Sequence, residues 1–129
     1  KEHAVNEAHA LTDALLHCAI EGEAATPPET PVDGECWLVS SPATGEWTGQ
    51  DGRIACRQAG VWLFVMPCEG MRVFNRSTGQ DIRFAGAWFA PSAPASPSGG
   101  STVDMEARAA IDALIATMQA ARILGEFDG

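Results

Sequence analysis

The chain predicts a mainly β fold with flanking helices: a small antiparallel β meander or partly open barrel, an N-terminal helix and a C-terminal oligomerisation helix. Three observations carry this. Between residues 32 and 90, short alternating runs are punctuated by glycine turns, the pattern of strands joined by hairpins. An Ala-Gly-x-Trp motif occurs twice in that block, as Ala59-Gly60-Val61-Trp62 and Ala85-Gly86-Ala87-Trp88, each after a strand-like run. Outside the block the apolar period lengthens from two to alternating steps of three and four.

Taken in order, residues 1–22 form the N-terminal helix. Ala4, Ala8, Leu11, Leu15 and Cys18 make one stripe over residues 4–19, widened by Leu16 and Ile20, and Gly22 is placed to cap the end. Pro27, Pro28 and Pro31 then force an extended or turning path. Residues 32–90 are the small antiparallel β domain. Its strands are Cys36–Val39, Arg53–Arg57, Val61–Met66, Met71–Asn75 and the second Trp hairpin at 81–90. Residues 91–100 are a Pro/Ser/Gly linker, stiff at first and flexible at its Gly99-Gly100 end. Residues 101–129 hold the C-terminal helix, expected over 103–124 with Ser101 and Asp104 at its start. Its seam is Ala107, Ile111, Leu114, Met118 and Ala121, with Arg108, Asp112 and Gln119 off it. A seam of about three heptads is marginal alone and sensible inside an oligomer.

Composition narrows the function. A length of 129 residues allows one small domain with helical arms. Much of the 46% hydrophobic content is alanine, so the core is small and is expected to be supplemented by partner subunits. A net charge of -9 argues against nucleic acid and against anionic membrane surfaces, both of which call for Lys and Arg. No stretch approaches the roughly 18 apolar residues of a membrane span. What precedes Lys1 is not legible.

Candidate chemistry is sparse. Cys18, Cys36, Cys56 and Cys68 match no zinc-ligand spacing. Two disulfides are arithmetically allowed in three pairings, and buried free thiols are the expected state. His9, Asp13 and His17 share a helix side at steps of four, which reads as a solvated face, so no metal site is expected. Glu35, Glu46, Asp51, Glu69 and Asp81 sit mostly beside glycines, where turns rather than a cleft of paired carboxylates are expected. There is no nucleophile elbow and no phosphate loop. No cofactor and no catalytic residue is expected, and the chain does not read as an enzyme. Trp37, Trp47, Trp62 and Trp88 remain, as core, as interface anchors or as a sugar-stacking platform. Trp47, between a glycine turn and Thr48-Gly49, reads as the most exposed of the four.

One resemblance spans residues 1–90. Lys1-Glu2-His3-Ala4-Val5-Asn6-Glu7-Ala8, then Gly34-Glu35-Cys36-Trp37-Leu38-Val39, Ala43-Thr44-Gly45-Glu46-Trp47, Gly60-Val61-Trp62-Leu63-Phe64 and Pro67-Cys68-Glu69-Gly70 come in an order similar to that of the DUF2793 family. The resemblance implies a virion protein of tailed phages or gene transfer agents, a head spike or tail-associated part, some of whose relatives are linked with host capsular polysaccharide. It implies no catalytic residues. At Cys36 and Cys68 the chain departs from the pattern expected. The reading is a noncatalytic structural component of a phage or phage-like particle, such as a spike, fibre or tail or head attachment protein, located in the virion. It is a homo-oligomer, expected as a trimer, held with other virion proteins. The alternative is a carbohydrate-binding module recognising host surface polysaccharide.

Overall fold

The computed structural model describes residues 1–127, and Asp128 and Gly129 of the C-terminal segment lie outside the described residues. Helix α1 (Glu2–Leu15) is followed by strands β1 (Ala19–Ile20), β2 (Glu23–Ala24) and β3 (Cys36–Val39). A single 3₁₀ turn spans Gly45–Trp47. Then come β4 (Ile54–Gln58), β5 (Val61–Val65), β6 (Arg72–Asn75), β7 (Gln80–Phe84), β8 (Trp88–Phe89) and helix α2 (Met105–Ala120). The mainly β architecture with a helix on each side is as expected.

The strands form two four-stranded sheets, ordered β1-β6-β7-β8 and β2-β3-β4-β5, neither closed into a barrel. Each is an antiparallel meander of three consecutive strands with one parallel strand added at its edge. Both added strands come from the same short stretch. Ala19–Ile20 pairs with β6, the chain crosses at Gly22, and Glu23–Ala24 pairs with β3. Within residues 32–90 every pairing is antiparallel, as expected, and the two parallel edges are added from upstream of that block; the first helix, however, is corrected. It stops at Leu15 rather than running to residue 19, because the backbone around Cys18 and Ile20 is used by the sheet: the Phe74 amide donates to Cys18 and the Arg76 amide to Ile20. Gly22 is therefore no helix cap. A Cβ there would meet the Ser77 side chain and the Trp37 ring at 3.3 and 3.6 Å.

The doubled Ala-Gly-x-Trp motif marks this doubled architecture. Each copy turns the last hairpin of its meander, β4–β5 in one sheet and β7–β8 in the other. The loops differ, however. Gln58 pairs with Val61, so Ala59 and Gly60 form a two-residue turn in which both residues have positive φ, 49° and 76°. That is the primed turn whose twist matches the strands. In the second copy Phe84 pairs with Trp88, leaving a three-residue loop in which Gly86 has φ 75°.

Strand alternation then divides the apolar residues between two cores. Cys36, Leu38, Ile54 and Cys56 point to one face of their sheet and pack with Ile20, Val73 and Ile82 of the other sheet. Helix α1 lies against β4 and β5, with Ala14 closing this core. On the opposite face, Trp37, Ala55 and Phe64 stand in one row across β3, β4 and β5. Trp47 packs over that row with Val39, Ala43 and Trp62, so the second core lies outside the sandwich. Ala55 is fully buried, and its small side chain leaves room for the indole.

Candidate functional site

Of the four tryptophans, Trp37, Trp47 and Trp62 gather in the outer core, whereas Trp88 packs against the core between the sheets. Trp47 is 0% exposed, the reverse of the sequence expectation. The polar residues beside it in sequence say nothing of the row of small and aromatic side chains beneath it. Its ring meets that of Trp62 edge-on, with centroids 5.1 Å apart and planes at 83°. The Arg57 guanidinium covers the Trp62 ring at 5.2 Å, a cation–π contact. The Trp37 indole N–H reaches a Glu35 carboxylate oxygen at 3.5 Å. Trp88 is half-buried, stands edge-on to Phe84 at 5.4 Å, and donates its indole N–H to the Gly52 carbonyl at 2.8 Å. That bond ties β8 of one sheet to the loop that enters β4 of the other.

Beside this tie runs an open groove of about 550 Å³. Trp88, Phe84, Met66 and Pro67 supply its apolar wall, and Asp51 and Arg53 its charged one. The Ser41 hydroxyl and then the Ala43 amide bond the Asp51 carboxylate and hold it below its ordinary value of 3.8. An aromatic ledge flanked by a carboxylate and a guanidinium is suited to a polar, hydroxyl-rich ligand with one apolar face. The rings of Trp47 and Trp62, being perpendicular, present no flat double platform.

The second candidate surface is α2. Asp104, not Ser101, caps it, accepting from the Ala107 amide at 2.9 Å, and Glu106 adds negative charge in the first turn. The helix spans Met105–Ala120, shorter than the expected 103–124, so Ala121 of the seam is its C-cap. Its polar edge is the one that finds intramolecular partners. Arg108 donates to the carbonyls of Pro97 and Gly99, and Gln119 to that of Gly125 at 3.1 Å. Ile115 joins Gln119 beside linker residues 93–96. The seam residues beside it are uncovered: Ile111, Leu114 and Met118 are 43%, 63% and 39% exposed, and Ala107 and Ala121 are exposed too. No residue of α2 is buried.

Beyond α2 the chain returns to the sheet. The Asp81 amide donates to Arg122, the Gly125 amide to Pro91, and the Ala93 amide to Glu126. Gln80, 5% exposed, donates its side-chain amide to both Pro91 and Ile123, at 2.7 and 3.4 Å. Linker and tail are thus fastened together at their base. Sequence reasoning missed this anchor, since a lone Gln at a strand start carries no periodic signal.

His9 and Asp13 lie on α1, but His17 falls beyond its end. Among the described residues no three His, Cys, Asp or Glu side chains are placed to hold a metal ion. No described helix is long and apolar enough to cross a membrane. The cysteines are unbonded, yet only Cys36 and Cys56 are buried; Cys18 is half-exposed and Cys68 exposed, which corrects the expectation of four buried thiols. No curated protein matches the chain. A family described as a protein of unknown function, DUF2793, matches residues 5–90, from α1 through β8 and well over half of the chain. The match stops where the linker to α2 begins, and on its strength the chain belongs to the DUF2793 family.

Proposed function

We propose that the protein is a noncatalytic structural component of a phage or phage-like particle, a spike, fibre or attachment part in which α2 joins copies of the chain into a trimer. The observation that carries this is the uncovered seam of Ile111, Leu114 and Met118 on a helix whose neighbouring edge is already engaged by its own linker and tail. Burying one such side chain is worth about 1.5–3 kcal/mol. Three per helix therefore offset the cost of association only when several copies contribute. Membership of the family supports the particle reading through the virion proteins that the sequence resembles. The two-sheet body, to which the base of linker and tail is fastened, is the part left to meet other virion proteins.

Sedimentation analysis of the full chain tests it. The wild type is expected to sediment with the mass of a trimer. Leu114→Glu is expected to give a monomer with an unchanged far-ultraviolet circular dichroism spectrum. A wild-type monomer at every concentration, or a Leu114→Glu variant that keeps the oligomer mass, contradicts the reading. A second reading, recognition of a host surface polysaccharide, is favoured by the groove of Trp88, Phe84, Asp51 and Arg53. It predicts that capsular oligosaccharides bind the wild type and that Arg53→Ala weakens them, as measured by titration calorimetry. Binding that is absent, or indifferent to Arg53, removes it.

A further inference from the structure

Cys36 and Cys56 face each other directly across β3 and β4, with Sγ atoms 3.0 Å apart. Next to them the Arg57 amide bonds the Glu35 carbonyl at 2.8 Å. Antiparallel ladders alternate, so the cysteine pair is of the non-hydrogen-bonded kind, whose Cα atoms approach to about 4.5 Å. That lies within the span of about 4.4–6.8 Å that a disulfide needs. A third sulfur completes the group. Cys18, just before β1, is half-buried and packs against the same core as Cys36 and Cys56. A small cavity beneath α1 is lined by Cys36 and Cys56 together with Asp13, His17, Arg57 and Arg76. Cys68, exposed on the loop between β5 and β6, stands outside the group.

We infer that Cys18, Cys36 and Cys56 form a thiol–disulfide exchange site, at which Cys18 receives a low-molecular-weight disulfide and the bond is passed inward to join Cys36 to Cys56. Cys18 attacks one sulfur of the small disulfide, releasing one small thiol and leaving a mixed disulfide. Cys36 attacks Cys18 Sγ and releases the second small thiol. Cys56 then attacks Cys36 Sγ, and Cys18 returns to its thiol form. In sum two protein thiols lose two electrons and two protons, and one small disulfide becomes two thiols. The hydrogen bond to Cys36, then burial and the charge of Cys36, push the Cys18 thiol up. For Cys36, the lowering effect of Cys18 is outweighed by the bond with Cys56, burial, and the charges of Cys56 and Glu21, which push it up to about 12. The charged groups around the site are Asp13, His17, Glu21, Arg57 and Arg76. Thiolate is the attacking species, so exchange is slow near neutrality and quickens as pH rises. The site is independent of how α2 is covered.

The test incubates the full chain with oxidised glutathione, stops it with acid, blocks free thiols with N-ethylmaleimide and maps the peptides. The expected end product carries a Cys36–Cys56 bond and leaves Cys18 free, whatever glutathione adds to the exposed Cys68. Cys18→Ser is expected to slow formation of that bond about tenfold or more, because the other two sulfurs of the group are buried. Cys56→Ser is expected to stop at a Cys18–Cys36 bond. A different final bond in the wild type, glutathione on Cys68 alone, or an unchanged rate in Cys18→Ser overturns the proposal. Circular dichroism checks that each variant is folded, and where one is not, the wild-type peptide map decides.

Discussion

Replacing Trp47 with alanine removes the largest fully buried side chain of the protein. An aromatic residue of this kind buries about 150–250 Å². At about 25 cal/mol per Å² that corresponds to about 4–6 kcal/mol, an upper bound because the unfolded chain already hides part of the area. The edge-on contact with Trp62 contributes about 0.5–1.5 kcal/mol of its own. Relaxation of Trp37, Trp62 and Phe64 into the space recovers some of it, so the expected loss is about 3–5 kcal/mol. Against a total of about 5–15 kcal/mol for an ordinary domain, that is a large fraction. Trp47→Phe supplies the contrast. The indole N–H of Trp47 has no acceptor among the described residues, so phenylalanine forfeits no protein hydrogen bond and is expected to cost only about 1–2 kcal/mol. Urea unfolding followed by far-ultraviolet circular dichroism measures both without relying on indole fluorescence. The midpoint should fall with the slope unchanged. An alanine variant within about 1 kcal/mol of the wild type, the effect of an ordinary surface change, would refute the packing described for the outer core.

Two further outcomes are expected. Gln80→Ala leaves the Pro91 and Ile123 carbonyls without their shared donor, and should cost about 1–3 kcal/mol; faster hydrogen exchange at the Asp81 and Gly125 amides and cleavage within residues 122–127 would report release of the tail, and unchanged exchange would contradict the anchor. Because Asp51 has its folded pKa below the ordinary 3.8, its contribution is complete above that value and is lost as pH falls through the lower folded value; the stability gap between wild type and Asp51→Asn should therefore shrink on acidification, and a gap independent of pH would count against the Ser41 and Ala43 bonds.

Hairpins were legible because their signals are local. The Ala59-Gly60 and Gly86 turns follow from neighbouring residues, and the extent of β4 and β5 from alternation. The start of α2 was nearly legible, with Asp104 preferred over Ser101 once the helix geometry is fixed. Burial was not. Trp47 has polar neighbours in sequence, and its cover of Val39, Ala55 and Phe64 comes from strands on both sides of it. The two-residue strands Ala19–Ile20 and Glu23–Ala24 are too short for any period, and they pair in parallel with β6, far along the chain, and with β3, across the proline segment. The thiol group was hidden for a related reason. Only the register of β3 against β4 sets Cys36 opposite Cys56, and register is not carried by spacing in the sequence.

The crossing at Gly22 has a temporal consequence. Ala19 must find Phe74, and Glu23 must find Leu38, before either sheet has its edge strand. Hairpins between near neighbours close quickly, whereas distant partners wait for the chain between them to be ordered. On a ribosome, α1 would therefore be made well before β4 and β5, the strands it packs against, and β1 would wait for its partner until residue 75 had been made. Strand β1 is among the last parts to settle.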